Sequence, residues 1–313
     1  MQQLQTPDDP TPTHLTQSTQ AAYAGVVLVW ATTPLAIHWS SDSWSPTSAV
    51  TARMLLALLV LGSIYLYAYG QLPLSRRHLR IYAAAALGLF PNMIFVYHAA
   101  QYIPSGLVSL LFGMSPFFIG VLSAFWLREN EYDLRRIVAI LIALTGLLVV
   151  FSEQMKIDSG SWPGIVLMLA SNLCFAASSV LVKRESLQVG AWEKTLGSLL
   201  CATPLFILYW LAMDAHLPTA TSLKSDLAIV YLAVIGSLGG MWCFFKVLNN
   251  CSVDRVALIP LMTPALATLL GHLLAHEPLR ASQLAGSAAI LLGLALYDPA
   301  MLARLTRRLQ VRS

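Results

Sequence analysis

Charge is what this 313-residue chain has least of: Asp, Glu, Lys and Arg make up 11% of it, where soluble domains carry about 25%. With 57% hydrophobic residues, that shortage excludes an ordinary water-soluble domain and places the chain in the membrane class. Cys174, Cys201, Cys243 and Cys251 lie in or beside apolar runs with no close pair of the zinc or redox kind. They read as buried thiols, and no metal is expected. HExxH, GxSxG, CxxC and the phosphate-binding loop are all missing, which argues against an integral membrane enzyme, a cofactor, or transport powered by this chain itself. The first twenty residues contain no Lys or Arg, so a secretory signal, which starts basic, is not expected. Rich in Gln, Thr and Pro, residues 1–20 read as a disordered tail.

What is present is a series of apolar runs. Ten are free of acidic residues: Ala21–Trp39, Ala49–Tyr69, Ile81–Ala100, Ser105–Leu127, Ile137–Phe151, Trp162–Val182, Thr195–Met213, Leu227–Phe245, Val256–Ala275 and Ala281–Tyr297. All 15 carboxylates fall outside them. A helix needs roughly 20 apolar residues to cross the hydrocarbon core, and period-two alternation is absent, which excludes a barrel. The expected fold is an all-α integral membrane protein of ten transmembrane helices in the lipid bilayer.

Basic residues fix the expected orientation. Of 19 Lys and Arg, 15 fall in the loops after helices 2, 4, 6 and 8 and in the tail after helix 10. The positive-inside rule then places both termini in the cytoplasm of an inner-membrane protein. The net charge of +4 arises in these loops, so it does not point to nucleic acid.

An internal repeat follows from superposing Phe90–Val150 on Leu238–Asp298 without a gap. Pro116 falls on Pro264, Glu129 on Glu277, Met93 on Met241 and Met114 on Met262. Five helices is an odd number, so the second copy enters the membrane inverted, a build that recurs in secondary transporters. The expected organisation is a cytoplasmic tail (1–20), a first repeat (21–152), an external linker (153–161), a second repeat (162–299) and a basic cytoplasmic tail (300–313). Trp30-Ala31, Arg53-Met54-Leu55-Leu56-Ala57, and the Pro116…Glu129 pattern repeated at Pro264…Glu277 resemble the EamA-type branch of the drug/metabolite transporter superfamily. The resemblance covers about Ala21 to Pro299. It implies ten helices in two inverted five-helix halves and export of amino acids or other small metabolites.

Candidate cavity residues come from what is costly in lipid. Pro116 and Pro264 each remove a backbone hydrogen bond at mid-span, in corresponding places of the two halves, with Met114 and Met262 beside them. Asn92 and Asn172 sit near the middle of helices 3 and 6, where an amide must pair with protein or line a cavity. Arg53 lies about one turn inside helix 2, where it either snorkels to headgroups or faces the bundle. Trp30, Tyr97, Phe175, Trp242 and Phe245 either line a cavity or pack. His98 and His272 are the only titratable candidates at depth for proton coupling; packed histidines are the alternative. Together these suggest a secondary transporter, exporting a small uncharged or zwitterionic metabolite such as an amino acid by alternating access. A channel or facilitator is the alternative. The oligomeric state is not legible.

Overall fold

The computed structural model describes residues 16–127, 134–151, 160–185, 188–266 and 281–297. Helices α1 (Gln17–Ser40) and α2 (Pro46–Tyr69) come first. Next come two interrupted helix pairs, α3 (Arg76–Ala86) with α4 (Asn92–Ala99), and α5 (Ser105–Phe112) with α6 (Ser115–Trp126). Helices α7 (Leu134–Phe151), α8 (Trp162–Arg184) and α9 (Ala191–Met213) are unbroken. Helix α10 (Leu223–Tyr231) passes through a π-helical segment (Leu232–Gly239) into α11 (Gly240–Asn250). The short α12 (Val253–Ala257) is followed by helical residues 259–266 and, last, by α13 (Ala281–Tyr297). Among the described residues all regular structure is helical, and six helices are long and apolar enough to cross a membrane: α1, α2, Leu107–Trp126, α8, α9 and Leu223–Asn250. Glu129, His272, Glu277, the expected tail after residue 299 and nearly all of the expected linker lie outside the described residues.

Local chemistry explains the boundaries. Helix α1 starts at Gln17, within the stretch expected as tail, because the Thr16 hydroxyl accepts the Thr19 N–H and caps it. Helix α2 starts at Pro46 behind a Ser45 cap, which puts Arg53 two turns from the helix start rather than one. The third expected span is interrupted at residues 87–91, a break the sequence reading did not expect. Pro91 has no N–H for Leu87, and the chain tightens instead, with the Gly88 and Leu89 amides reaching Ala85 and Ala86 three residues back at 3.1 and 2.8 Å.

The two midspan prolines share one device. The carbonyl that Pro116 leaves unserved, on Phe112, accepts the Ser115 hydroxyl at 2.5 Å; the one that Pro264 leaves, on Pro260, accepts the Thr263 hydroxyl at 3.0 Å. Ser115 and Thr263 occupy equivalent positions in the superposed repeats. The consequences differ, however. Span 4 breaks at Gly113 and Met114, with Pro116 in the first turn of α6, where proline is tolerated. Pro264 stays inside helical residues 259–266, and the interruption lies six residues earlier, at Leu258.

Polar latches close the bundle at both ends. At one, Lys183 Nζ donates to the carbonyls of Leu248 and Cys251 at 3.0 and 2.7 Å, a cation completing the C-terminus of α11. At the other, Lys224 pairs with Asp42 at 3.0 Å and Trp44 donates to Asp226 at 2.8 Å, while Ser45 and Ser48 donate to Asp214. The Ser45 hydroxyl, then that of Ser48, hold the Asp214 carboxyl below the usual carboxylate range. A lowered folded pKa adds stability above the unfolded value of about 3.9, and that stability is lost as pH falls through the folded value. Asp214→Asn should therefore lower the thermal midpoint in detergent at pH 6, with the gap narrowing below about pH 4. A gap that stays constant from pH 6 to pH 3 would show that the carboxylate charge plays no part.

Candidate functional site

A cavity opens in the middle of the bundle, with about 920 Å³ of empty space when its mouth is included. It draws on α1, α2, α4 and α5 from one half of the chain and on α8, the π-helical segment and α11 from the other. One wall is aromatic. Trp30 stacks on Phe244 with ring centroids 5.3 Å apart and meets Phe175 edge-on at 5.7 Å; Phe112 lies 5.1 Å from Phe175. Such pairs are worth about 0.5–1.5 kcal/mol each beyond their burial, so the wall holds its shape. Gly240 makes room for it: a Cβ there would meet the Trp30 indole nitrogen at 3.1 Å.

Facing the cavity from α2 is Arg53, only 4% exposed. Its Nε donates to Ser237 Oγ at 2.9 Å, and one terminal nitrogen approaches the Met93 sulfur at 4.0 Å. Ser237 belongs to the π-helical segment, a distortion that often marks functional sites. Neighbouring Gly236 leaves the guanidinium its space, since a Cβ there would touch Nη2 at 3.4 Å. Among the described residues no carboxylate pairs with Arg53; the Asp42–Lys224 ion pair and the Asp214–His216 contact lie elsewhere.

Of the residues expected at a cavity, Trp30, Arg53, Asn92, Phe175 and Phe245 line this one. Asn92 also holds the break before α4, its amide donating to Gly88 O at 2.7 Å and its carbonyl accepting the Ser171 hydroxyl at 2.5 Å. Asn172, next along α8, serves the other break instead of the cavity. Its amide donates to Leu111 O at 2.8 Å and Met168 O at 3.1 Å, while its carbonyl oxygen sits 2.6 Å from Ser115 Oγ. Adjacent residues of one helix thus hold both interruptions. Pro116 and Pro264 are buried off the cavity. Met114 and Met262 pack against the core. Tyr97 is fully buried. Trp242 stacks on Trp192 at 5.2 Å beneath Lys246. His98 meets the Tyr209 hydroxyl at 3.2 Å, away from the cavity.

Leu111 O keeps a backbone donor, the Met114 N–H at 3.0 Å, so the loss of the Asn172 amide is only partly felt there. Hydrogen bonds between membrane helices average about 0.6 kcal/mol, and several made by one side chain raise the expected cost of Asn172→Leu to about 1–2 kcal/mol. Chemical unfolding in detergent measures it, and a change within error would show that the break holds itself. Sequence reasoning missed Met93, Phe112, Ser237 and Phe244. Phe112 precedes the break it could have been read from, and Phe244 adjoins Phe245, a step of 100° that a one-face pattern separates.

The model of the EamA-like transporter family matches residues 20–152 and again residues 162–297. A relative from Archaeoglobus fulgidus named "Uncharacterized transporter" is 27% identical over 86% of this chain and 94% of its own length. The Escherichia coli "Uncharacterized inner membrane transporter YedA" is also 27% identical, over 82% of this chain and 83% of its own. A second Escherichia coli protein, named "Probable amino-acid metabolite efflux pump", is 24% identical over 86% and 91%. One solved crystal structure of a protein shares the fold at a TM-score of 0.73, with 19% identity, covering 90% of this chain and 98% of that one. With two family matches spanning most of its length and six long apolar helices, the chain is a multi-pass membrane protein that belongs to the EamA-like transporter family.

Proposed function

We propose that the protein is a secondary transporter, not an enzyme, and that it exports a small metabolite by alternating access around the central cavity. The cavity carries this reading, because elements from both halves of the chain build it. Ten spans in two inverted repeats, in an inner membrane with both termini cytoplasmic, form its frame. Three observations support that frame: the double family match, the basic residues gathered in alternate loops, and the equivalent hydroxyl-proline pairs Ser115-Pro116 and Thr263-Pro264. The expectation of an uncharged or zwitterionic solute, such as an amino acid, fits the aromatic wall and the name of one relative.

Thr33 and Ser178 line the cavity from α1 and α8, at points that lie toward opposite faces in this topology. Single cysteines there, in a background without the four native cysteines, should respond oppositely to conditions that shift the transporter between its states. Labelling from the external face should rise at one as labelling from the cytoplasmic face falls at the other. Simultaneous labelling of both positions from both faces, unchanged by conditions, would replace alternating access with a channel.

A further inference from the structure

The cavity combines a broad aromatic wall with one permanent cation and, among the described residues, no acid. Arg53 brings a guanidinium cation, and only 4% of its surface is exposed. A buried charge is costly unless it is paired. The protein gives this one a hydroxyl at Nε and a sulfur near one terminal nitrogen, neither of them an anion. Arg53 is among the residues that border the empty space. Asn92, the amide nearest in role, has its nitrogen and oxygen engaged by Gly88 and Ser171.

A ligand entering such a site is favoured if it brings one negative charge with two acceptor oxygens for the fork and an apolar body for the rings. An ammonium group on the same ligand finds no carboxylate among the described residues to receive it and is repelled by the arginine. We propose that the cavity binds organic monocarboxylates with an aromatic or branched apolar body, the carboxylate on Arg53, and that it prefers them to the matching zwitterionic amino acids. The proposal rests on the transport reading and replaces its uncharged or zwitterionic solute with a monoanion.

Four probes share one phenylalkyl body and differ in charge: 3-phenylpropanoate, L-phenylalanine, 3-phenylpropanamide and phenethylammonium. Calorimetric titration of the purified, detergent-solubilised protein should rank 3-phenylpropanoate first. It should exceed the amide and the amine by about tenfold or more, the difference that one charge-assisted hydrogen-bond pair makes. Arg53→Gln should remove the discrimination between acid and amide, and Arg53→Lys should keep part of it. If the Gln variant does not fold, the wild-type ranking and the Lys variant decide. Tighter binding of L-phenylalanine, equal binding of the amide, binding of none of the four, or an acid preference that survives Arg53→Gln would each overturn the proposal. Failure of the cysteine-labelling exchange with intact acid binding would instead overturn alternating access alone.

Discussion

Arg53→Ala should lower metabolite release from overproducing cells by about 100-fold while leaving the amount of folded protein in the membrane unchanged. Loss of a charge-assisted hydrogen bond with substrate costs about 1.5–3 kcal/mol, which is up to two orders of magnitude in rate. Folding should be spared because the guanidinium has no carboxylate partner among the described residues to strand, and removing an unpaired buried charge relieves a desolvation penalty. Arg53→Lys should restore part of the activity, since the charge survives but the planar fork does not. Release at the wild-type rate from the Ala variant would reduce Arg53 to a structural role. A parallel fall in activity and membrane abundance would do the same.

The helical class was legible because lipid leaves so few choices: an acid-free apolar run about 20 residues long has to satisfy its own backbone. Where helices stop being regular was less legible, and the reason lies in who serves each carbonyl. Pro116 marked a real interruption, but Pro264 did not break its helix although Thr263 serves the same carbonyl that Ser115 serves in the other half. The break at residues 87–91 was missed because Pro91 looks like any proline in an apolar run until Asn92 and Ser171 are seen holding it. The π-helical segment at Leu232–Gly239 has no residue signature in the sequence at all. It is an outcome of packing, yet it sets the Ser237 hydroxyl against Arg53.

The candidate residues divided along the same line. Asn92 and Asn172 are equally polar and equally deep, and sequence could not separate them. The structure puts Asn92 on the cavity wall and gives Asn172 to Leu111, Met168 and Ser115. Trp242 and Phe245 lie three residues apart on α11, close enough to suggest a shared face. Trp242 instead pairs with Trp192 between helices, while Phe245 is 1% exposed at the cavity. Composition tells which residues are costly in lipid; it does not tell which neighbour will meet the cost.

The largest loss of stability should come from Gly286→Leu, through the contact between α7 and α13. A Cβ at Gly286 would lie 2.4 Å from Gly146 O and 2.7 Å from Val150 N; one at Gly146 would lie 2.6 Å from Gly286 O; one at Gly293 would lie 2.6 Å from Ala139 O. These neighbours are backbone atoms, so no side chain can swing aside and the helices must separate. Outside this seam both helices present apolar side chains, with Leu141, Leu148, Leu284, Leu291 and Leu292 exposed. In lipid no hydrophobic force pulls such faces together, and close packing of small residues is what holds the pair. Overpacking alone costs about 1–3 kcal/mol, and a leucine wedged against backbone along the seam belongs at or above the top of that range. Gly286→Leu should therefore lower the thermal midpoint sharply and broaden the size-exclusion peak in detergent. Gly286→Ala should fall between it and wild type, and Leu291→Ala, on the outer face, should change little. A wild-type midpoint for Gly286→Leu would mean that the two helices are held by their loops and not by their seam.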